Sequence, residues 1–246
     1  MIGDPVALSM TPEQLEHHQL ERLRWTLVRA YEEVDHYAAS FDDGGVTPDD
    51  FAVTADLRKF PLLTEDELTM APLALIAVPR TAILRVVEDG SHRTGFTFQD
   101  VKANADLVSR TLFAAGLRAG DRVIVSMSGP DAIAVMEGAE ALSCSVLRTR
   151  RTSVWFGADF RIGTDGLELM SVPALGGPGF GASGDDGVHV WEDHFFPEIV
   201  DGELVVTTIM RQAMPLVRYR TGLPGELAPG TTYPQFRRFI ERRPAI

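Results

Sequence analysis

Gly116-Leu117-Arg118-Ala119-Gly120-Asp121-Arg122, running straight into Val123-Ile124-Val125-Ser126-Met127, is the stretch that decides the fold. A glycine-bounded connection feeding an apolar, β-branched run predicts a strand of the kind buried in a parallel sheet. Thr97 to Ala115 ahead of it reads as a helix, and Asp131 to Leu142 behind it reads as another. Further back, Ala82 to Val87 reads as a strand and Glu88-Asp89-Gly90-Ser91-His92-Arg93-Thr94-Gly95 as a turn-rich segment. Strand, helix, strand and helix in succession predict an α/β layer with right-handed crossovers.

Towards the N-terminus, Leu15, Leu20, Leu23, Leu27, Ala30, Tyr31, Val34 and Tyr37 recur at helical spacing, behind a start signal at Thr11-Pro12-Glu13-Gln14. The spacing predicts one helix from Thr11 to Phe41. Thr47-Pro48 opens a second, reaching Leu57, and Thr64-Glu65-Asp66-Glu67 opens a third. Residues 1–80 are therefore expected to be a helical section, continuous with an α/β core over 81–246.

Towards the C-terminus the pattern turns to β. Strands are expected at Ser153 to Phe156, Leu167 to Val172, Val188 to Phe195 and Glu203 to Thr208, with Asp201-Gly202 as a hairpin turn. Gly176-Gly177-Pro178-Gly179-Phe180-Gly181 reads as a loop or bulge. The basic run Arg237-Arg238-Phe239-Ile240-Glu241-Arg242-Arg243 reads as a terminal helix facing solvent or a partner.

Composition narrows the function classes. Of the 246 residues, 45% are apolar and 24% charged, and no run approaches the roughly 20 apolar residues of a membrane helix. A cytoplasmic protein without a membrane partner is expected. A net charge of -12 argues against a phosphate-backbone binder, so no nucleic-acid partner is expected either. The single cysteine, Cys144, excludes an internal disulfide and a thiolate-built zinc site, and its small apolar neighbours predict an inert buried thiol. Lys59 and Lys102 are the only lysines, so a mechanism needing an ammonium has few candidates.

Two blocks carry a family signature. The first joins Gln19-Leu20-Glu21-Arg22-Leu23-Arg24 and Arg29-Ala30-Tyr31-Glu32-Glu33-Val34 to Phe60-Pro61-Leu62-Leu63-Thr64 and Ala77-Val78-Pro79-Arg80. The second runs from His189-Val190-Trp191-Glu192-Asp193-His194-Phe195-Phe196-Pro197-Glu198-Ile199 through Gly202-Glu203-Leu204-Val205-Val206-Thr207-Thr208 to Ala213-Met214-Pro215-Leu216-Val217-Arg218-Tyr219-Arg220-Thr221. With Ala105-Asp106-Leu107 to Asp121 between them, the chain resembles the phenylacetate-CoA ligases. That resemblance implies a shortened adenylate-forming domain: a reduced parallel-type sheet with flanking helices and a β-rich C-terminal part.

The resemblance also implies chemistry with physical requirements. Enzymes of that superfamily activate a carboxylate with ATP and magnesium, then pass the acyl group to coenzyme A. A Gly/Ser/Thr loop must wrap the triphosphate with aligned donors. Where the family has that loop, this chain has Asp89-Gly90-Ser91-His92-Arg93-Thr94-Gly95-Phe96, keeping Gly90, Ser91, Thr94 and Gly95 but losing lysine and proline and gaining an acid and bulk. Around Leu169 to Gly179 the family's metal-placing glutamate has no counterpart after Ser171. Two positions after Thr221 its ribose-binding aspartate is missing, and Glu226 is the only nearby acid. A lysine-bearing C-terminal domain is expected to be absent, and a long internal segment is expected to be missing between Arg148 and Phe156. No cofactor and no metal are therefore expected.

The polar residues retained are His189, Glu192, Asp193 and His194, taken here as catalytic candidates. On one strand, His189, Trp191 and Asp193 would face one way and Glu192 and His194 the other, so all four converge only with a bulge. A Glu/His pair on one face suits acid and base roles, or one metal with further ligands, while the first reading of the same pattern is framework residues satisfied by the hairpin and neighbouring loops. Trp191, Phe195, Arg218, Tyr219 and Arg220 are candidates for contacting substrate, with Phe196 and Trp155 as further aromatic walls. The competing reading puts these aromatics in the core and the arginines in ion pairs with Glu192 or Glu203. His17 and His18 read as surface residues.

Three functions compete. One is an enzyme that keeps a pocket for a small aromatic or acyl ligand and performs ATP-independent cyclisation, isomerisation or elimination in specialised metabolism. The second is a non-catalytic partner protein, a homodimer whose exposed sheet edge is covered by the other subunit. The third is a residual ligase working with a separate lysine-bearing domain.

Overall fold

The computed structural model describes residues 8–149, 157–163, 166–184 and 186–242. The strand expected at Ser153 to Phe156, and with it Trp155, lies outside the described residues.

The helical section opens with α1 (Pro12–Glu33), capped by Thr11, whose hydroxyl accepts from Gln14 N at 3.2 Å while Gln14 returns a bond to Thr11 N. Val34 is extended and breaks the expected single helix, so that α2 (Asp35–Asp43) starts afresh. The restart turns Tyr37 and Phe41 into the core. The second expected helix is instead two 3₁₀ turns, Pro48–Asp50 and Thr54–Lys59. There the Asp50 and Asp56 carboxylates take the backbone donors of Thr47, Ala52 and Val53, a local alternative to helix. α3 (Glu65–Met70) starts at Thr64 as the sequence predicts.

A hairpin follows, β1 (Arg85–Asp89) and β2 (His92–Phe96), antiparallel from Arg85↔Phe96 to Asp89↔His92. Ahead of it the expected strand start at Ala82 is a 3₁₀ turn, Arg80–Ala82. α4 (Phe98–Ala114), β3 (Arg122–Val125) and α5 (Pro130–Ala141) then appear in the predicted order, followed by β4 (Ser145–Arg148), a strand not expected from the sequence. With β5 (Phe160–Ile162) they form a three-stranded parallel sheet, order β4-β3-β5. Val108, Leu112, Val123, Val125, Val135 and Ile162 make its core.

The C-terminal part is a six-stranded antiparallel sheet built from β6 (Gly181–Gly184), β7 (Gly187–Val190), β8 (Phe195–Val200), β9 (Glu203–Thr208), β10 (Tyr219–Ala228) and β11 (Arg238–Glu241), in the order β6-β7-β11-β10-β9-β8. Asp201 and Gly202, at φ 53 and 79, make the predicted hairpin turn between β8 and β9. The helical section shares its core with this sheet: Leu23, Leu27, Tyr37 and Phe41 pack in one cluster with Trp191, Phe195, Val206, Leu216 and Phe239.

Three C-terminal expectations give way. The basic tail is a strand, because Phe239 is buried and its backbone fills the slot between β7 and β10. Leu167 to Val172 makes only isolated bridges, Ile162↔Leu167 and Val172↔Gly177. Val188 to Phe195 is two strands, separated by a turn at Trp191 to His194 in which His194 N and Phe195 N both donate to Trp191 O.

Candidate functional site

That turn decides what the retained block does, since its side chains diverge into separate partnerships. Glu192 is 2% exposed and receives the Arg237 backbone N–H, Arg237 Nε at 2.9 Å and Gln19 Nε2 at 3.3 Å. Asp193 takes both its oxygens to Arg110 at 2.9 Å, and its carbonyl meets His18 Nε2 at 3.0 Å, so His18 is part of the framework. His189 accepts from Thr231 N at 3.0 Å, and burial lowers its pKa. His194 lines a pocket of about 30 Å³ with its Nε2 3.7 Å from Asp193 Oδ2, and burial lowers its pKa to about 4 despite the opposing Asp193 charge. A neutral imidazole follows at neutral pH.

The second set is also engaged. Arg218, at φ 50, pairs with Glu198 at 3.1 Å and donates to Arg58 O and Phe60 O, tying the helical section to β10. Arg220 pairs with Glu203, as the ion-pair reading has it. Tyr219 OH donates to Glu65, which also meets His92 Nε2 at 2.8 Å. Trp191, Phe195 and Phe196 are buried in or against the core, and Trp191 Nε1 donates to Thr111 at 3.0 Å. Cys144 is buried, with its thiol pKa raised by burial.

A separate cavity lies between the β1–β2 hairpin and the start of α5. It is an open cleft of about 600 Å³, walled by Val86, Val87, Phe96, Val101, Ile133 and Ala134. That volume suits a small organic ligand. Its polar groups are Arg85, Glu88, Asp89, Asn104, Asp131 and Arg148. Arg85 is held by both oxygens of Glu137, at 3.0 and 2.6 Å, which joins β1 to α5. Of the four residues kept from the phosphate loop, Gly90 and Ser91 form the tip of the hairpin, whereas Thr94 and Gly95 are buried in β2 opposite Val87 and Val86.

Asp131 is the residue the sequence reading missed. It stands in the first turn of α5, just after the loop that leaves the carboxyl end of β3, where ligands of open α/β sheets bind. Gly129-Pro130-Asp131 after an apolar strand was the available signal. Burial raises the pKa of its carboxyl; the Ser171 hydroxyl acts in the opposite sense and the Asp89 charge in the same one. Gly177, at φ 87, brings the far wall so close that a Cβ there would sit 2.5 Å from Asp131 Oδ1. Arg211 fixes that wall from behind: buried, its pKa lowered to about 10 by desolvation, it donates to Ala174 O at 2.8 Å and Leu175 O at 2.6 Å and lies over the Phe96 ring. Among the described residues no group of three His, Cys, Asp or Glu side chains is placed to hold a metal ion.

This fold recurs in a solved CoA ligase. A 2-hydroxyisobutyryl-CoA ligase, solved open with 2-HIB-AMP and CoA, superposes with a TM-score of 0.81 over 96% of this chain and 75% of its own, at 18% identity. No protein-family model matches the sequence. The phenylacetate-coenzyme A ligase of Aromatoleum evansii is 31% identical over 298 positions, covering 89% of this chain and 68% of the relative. Those of Pseudomonas putida and Escherichia coli are each 30% identical, over 92% and 93% of this chain. The chain belongs to the phenylacetate-CoA ligase family. Because the 298 matched positions outnumber the 246 residues of the whole chain, the relative carries internal residues without a counterpart here. No described helix is long and apolar enough to cross a membrane.

Proposed function

We propose that this ligase-derived scaffold binds a small aromatic or acyl compound in the cleft between the β1–β2 hairpin and α5, and transforms it by proton transfer at Asp131, without making an acyl adenylate. Cyclisation, isomerisation and elimination are the reactions of that class. The observation that carries the reading is Asp131 itself: a half-buried carboxyl with a raised pKa on the wall of a cleft that also offers the apolar surface of Val86, Val87, Phe96 and Ile133, which suits a group that both gives and takes a proton. Glu192 and Asp193 are not the acid and base in this proposal, because their oxygens are committed to Arg237 and Arg110.

Magnesium triphosphate fits these residues poorly. The segment is a regular antiparallel hairpin in place of a phosphate-wrapping loop, and it sets Asp89 in the cleft wall, where a polyanion would meet like charge. Thermal unfolding of the full chain tests this, since a ligand that binds the native state raises the melting temperature. Millimolar ATP with magnesium is expected to leave it unchanged, while aromatic compounds that fill the cleft raise it. A rise of several degrees with ATP would restore the ligase reading.

A further inference from the structure

We propose that the ligand of this cleft carries a cationic nitrogen on an apolar frame, with Asp131 as its counter-ion. The inference rests on the cleft being the ligand site and adds the charge of what occupies it. Two of the charged groups at the cleft are already neutralised in place: Arg85 by Glu137 at 2.6 Å, and Glu88 by Arg93, its partner across the hairpin, at 2.7 Å. What remains is Asp131 and Asp89 on the walls and the exposed Arg148 at the end of β4.

Asp131 is only partly open to water, with the Ser171 hydroxyl and the Asp89 carboxylate acting on it, and the cations that line the same cleft are Arg85, held by Glu137, and Arg148 at the end of β4. A half-buried carboxylate in that position is held in its ionised form by an opposite charge brought to it. The wall is shaped around it: Gly177 leaves no room for a side chain beside Oδ1, and both residues line the cleft. Val86, Val87, Phe96 and Ile133 supply the apolar surface for the remainder of the ligand. An ammonium at Asp131 with an aromatic ring against those residues satisfies both halves of the site. A ligand whose anionic group reached this wall would be repelled by Asp131 and Asp89 together.

The test is isothermal titration of the full chain with three probes of one frame: phenethylamine, 2-phenylethanol and phenylacetate. The amine is expected to bind at least tenfold more tightly than the alcohol, and the carboxylate most weakly. Asp131→Asn should bring the amine to the level of the alcohol while leaving the alcohol's affinity and the circular-dichroism melt unchanged. Val86→Trp, which fills the cleft from the opposite wall, should abolish binding of all three. Equal affinities for the three probes would overturn the charge assignment and leave the cleft standing. Failure of every probe to bind, or amine binding indifferent to Val86→Trp, would overturn the cleft as well.

Discussion

Arg110 and Asp193 meet inside the protein, the Nη1 of one 2.9 Å from both oxygens of the other, with side chains only 3% and 6% exposed. The pair fastens α4 to the turn between β7 and β8, and its guanidinium lies 5.1 Å from the centre of the Trp191 ring. Removing one partner strands a buried charge, so Asp193→Ala is predicted to lower stability by about 3–5 kcal/mol. Arg110→Met combined with Asp193→Leu should lose less than Asp193→Ala alone. Urea midpoints of the variants would decide it; a loss below 1 kcal/mol in Asp193→Ala would count against a closed, structural pair.

His194 predicts a pH dependence. Its folded pKa of about 4 lies below the ordinary 6.5, so as pH falls the unfolded chain takes up the proton first. The stability held by the neutral ring is complete above about pH 6.5 and drains away towards pH 4. About 1.4 kcal/mol per pKa unit sets the scale. With 19% of the side chain exposed, about 2 kcal/mol is the expected share. Urea unfolding between pH 4.5 and 7 should show this slope in the native chain and lose it in His194→Gln.

Gly138 sits where α5 crosses α4, and a Cβ there would lie 2.6 Å from Val108 Cγ1 and 2.9 Å from Ser109 N. Alanine would raise helix propensity by about 1 kcal/mol, yet the clash includes backbone that cannot swing aside. A net loss of about 1–3 kcal/mol is predicted for Gly138→Ala, read as a lower melting temperature. An unchanged or higher value would mean that the two helices separate freely.

Arg85 and Glu137 form the contrasting case, with side chains 37% and 28% exposed. Glu137→Gln is predicted to cost no more than about 1 kcal/mol, since solvent screens the pair. It should nevertheless weaken ligand binding in the cleft, because this contact joins the β1 wall to α5. Titration and melting of the same variant separate the two effects.

The sequence by itself determined the elements whose signals are local. The apolar run at Val123, the Thr64 cap and the Asp201-Gly202 turn each act through the preferences of a few neighbouring residues, and the family signature is a linear pattern. The tertiary structure decided the rest. Arg238 to Glu241 became a strand because a slot between β7 and β10 needed its backbone groups and Phe239 needed burial. The Trp191 to His194 block became a turn, which sent Glu192 to Arg237, Asp193 to Arg110 and His194 to its own pocket. Those partners lie 45 and 83 residues away along the chain, beyond any periodicity. Asp131 is one acid among many in sequence, and the apolar walls that raise its pKa come together only when the hairpin, α5 and the Gly177 wall pack around it.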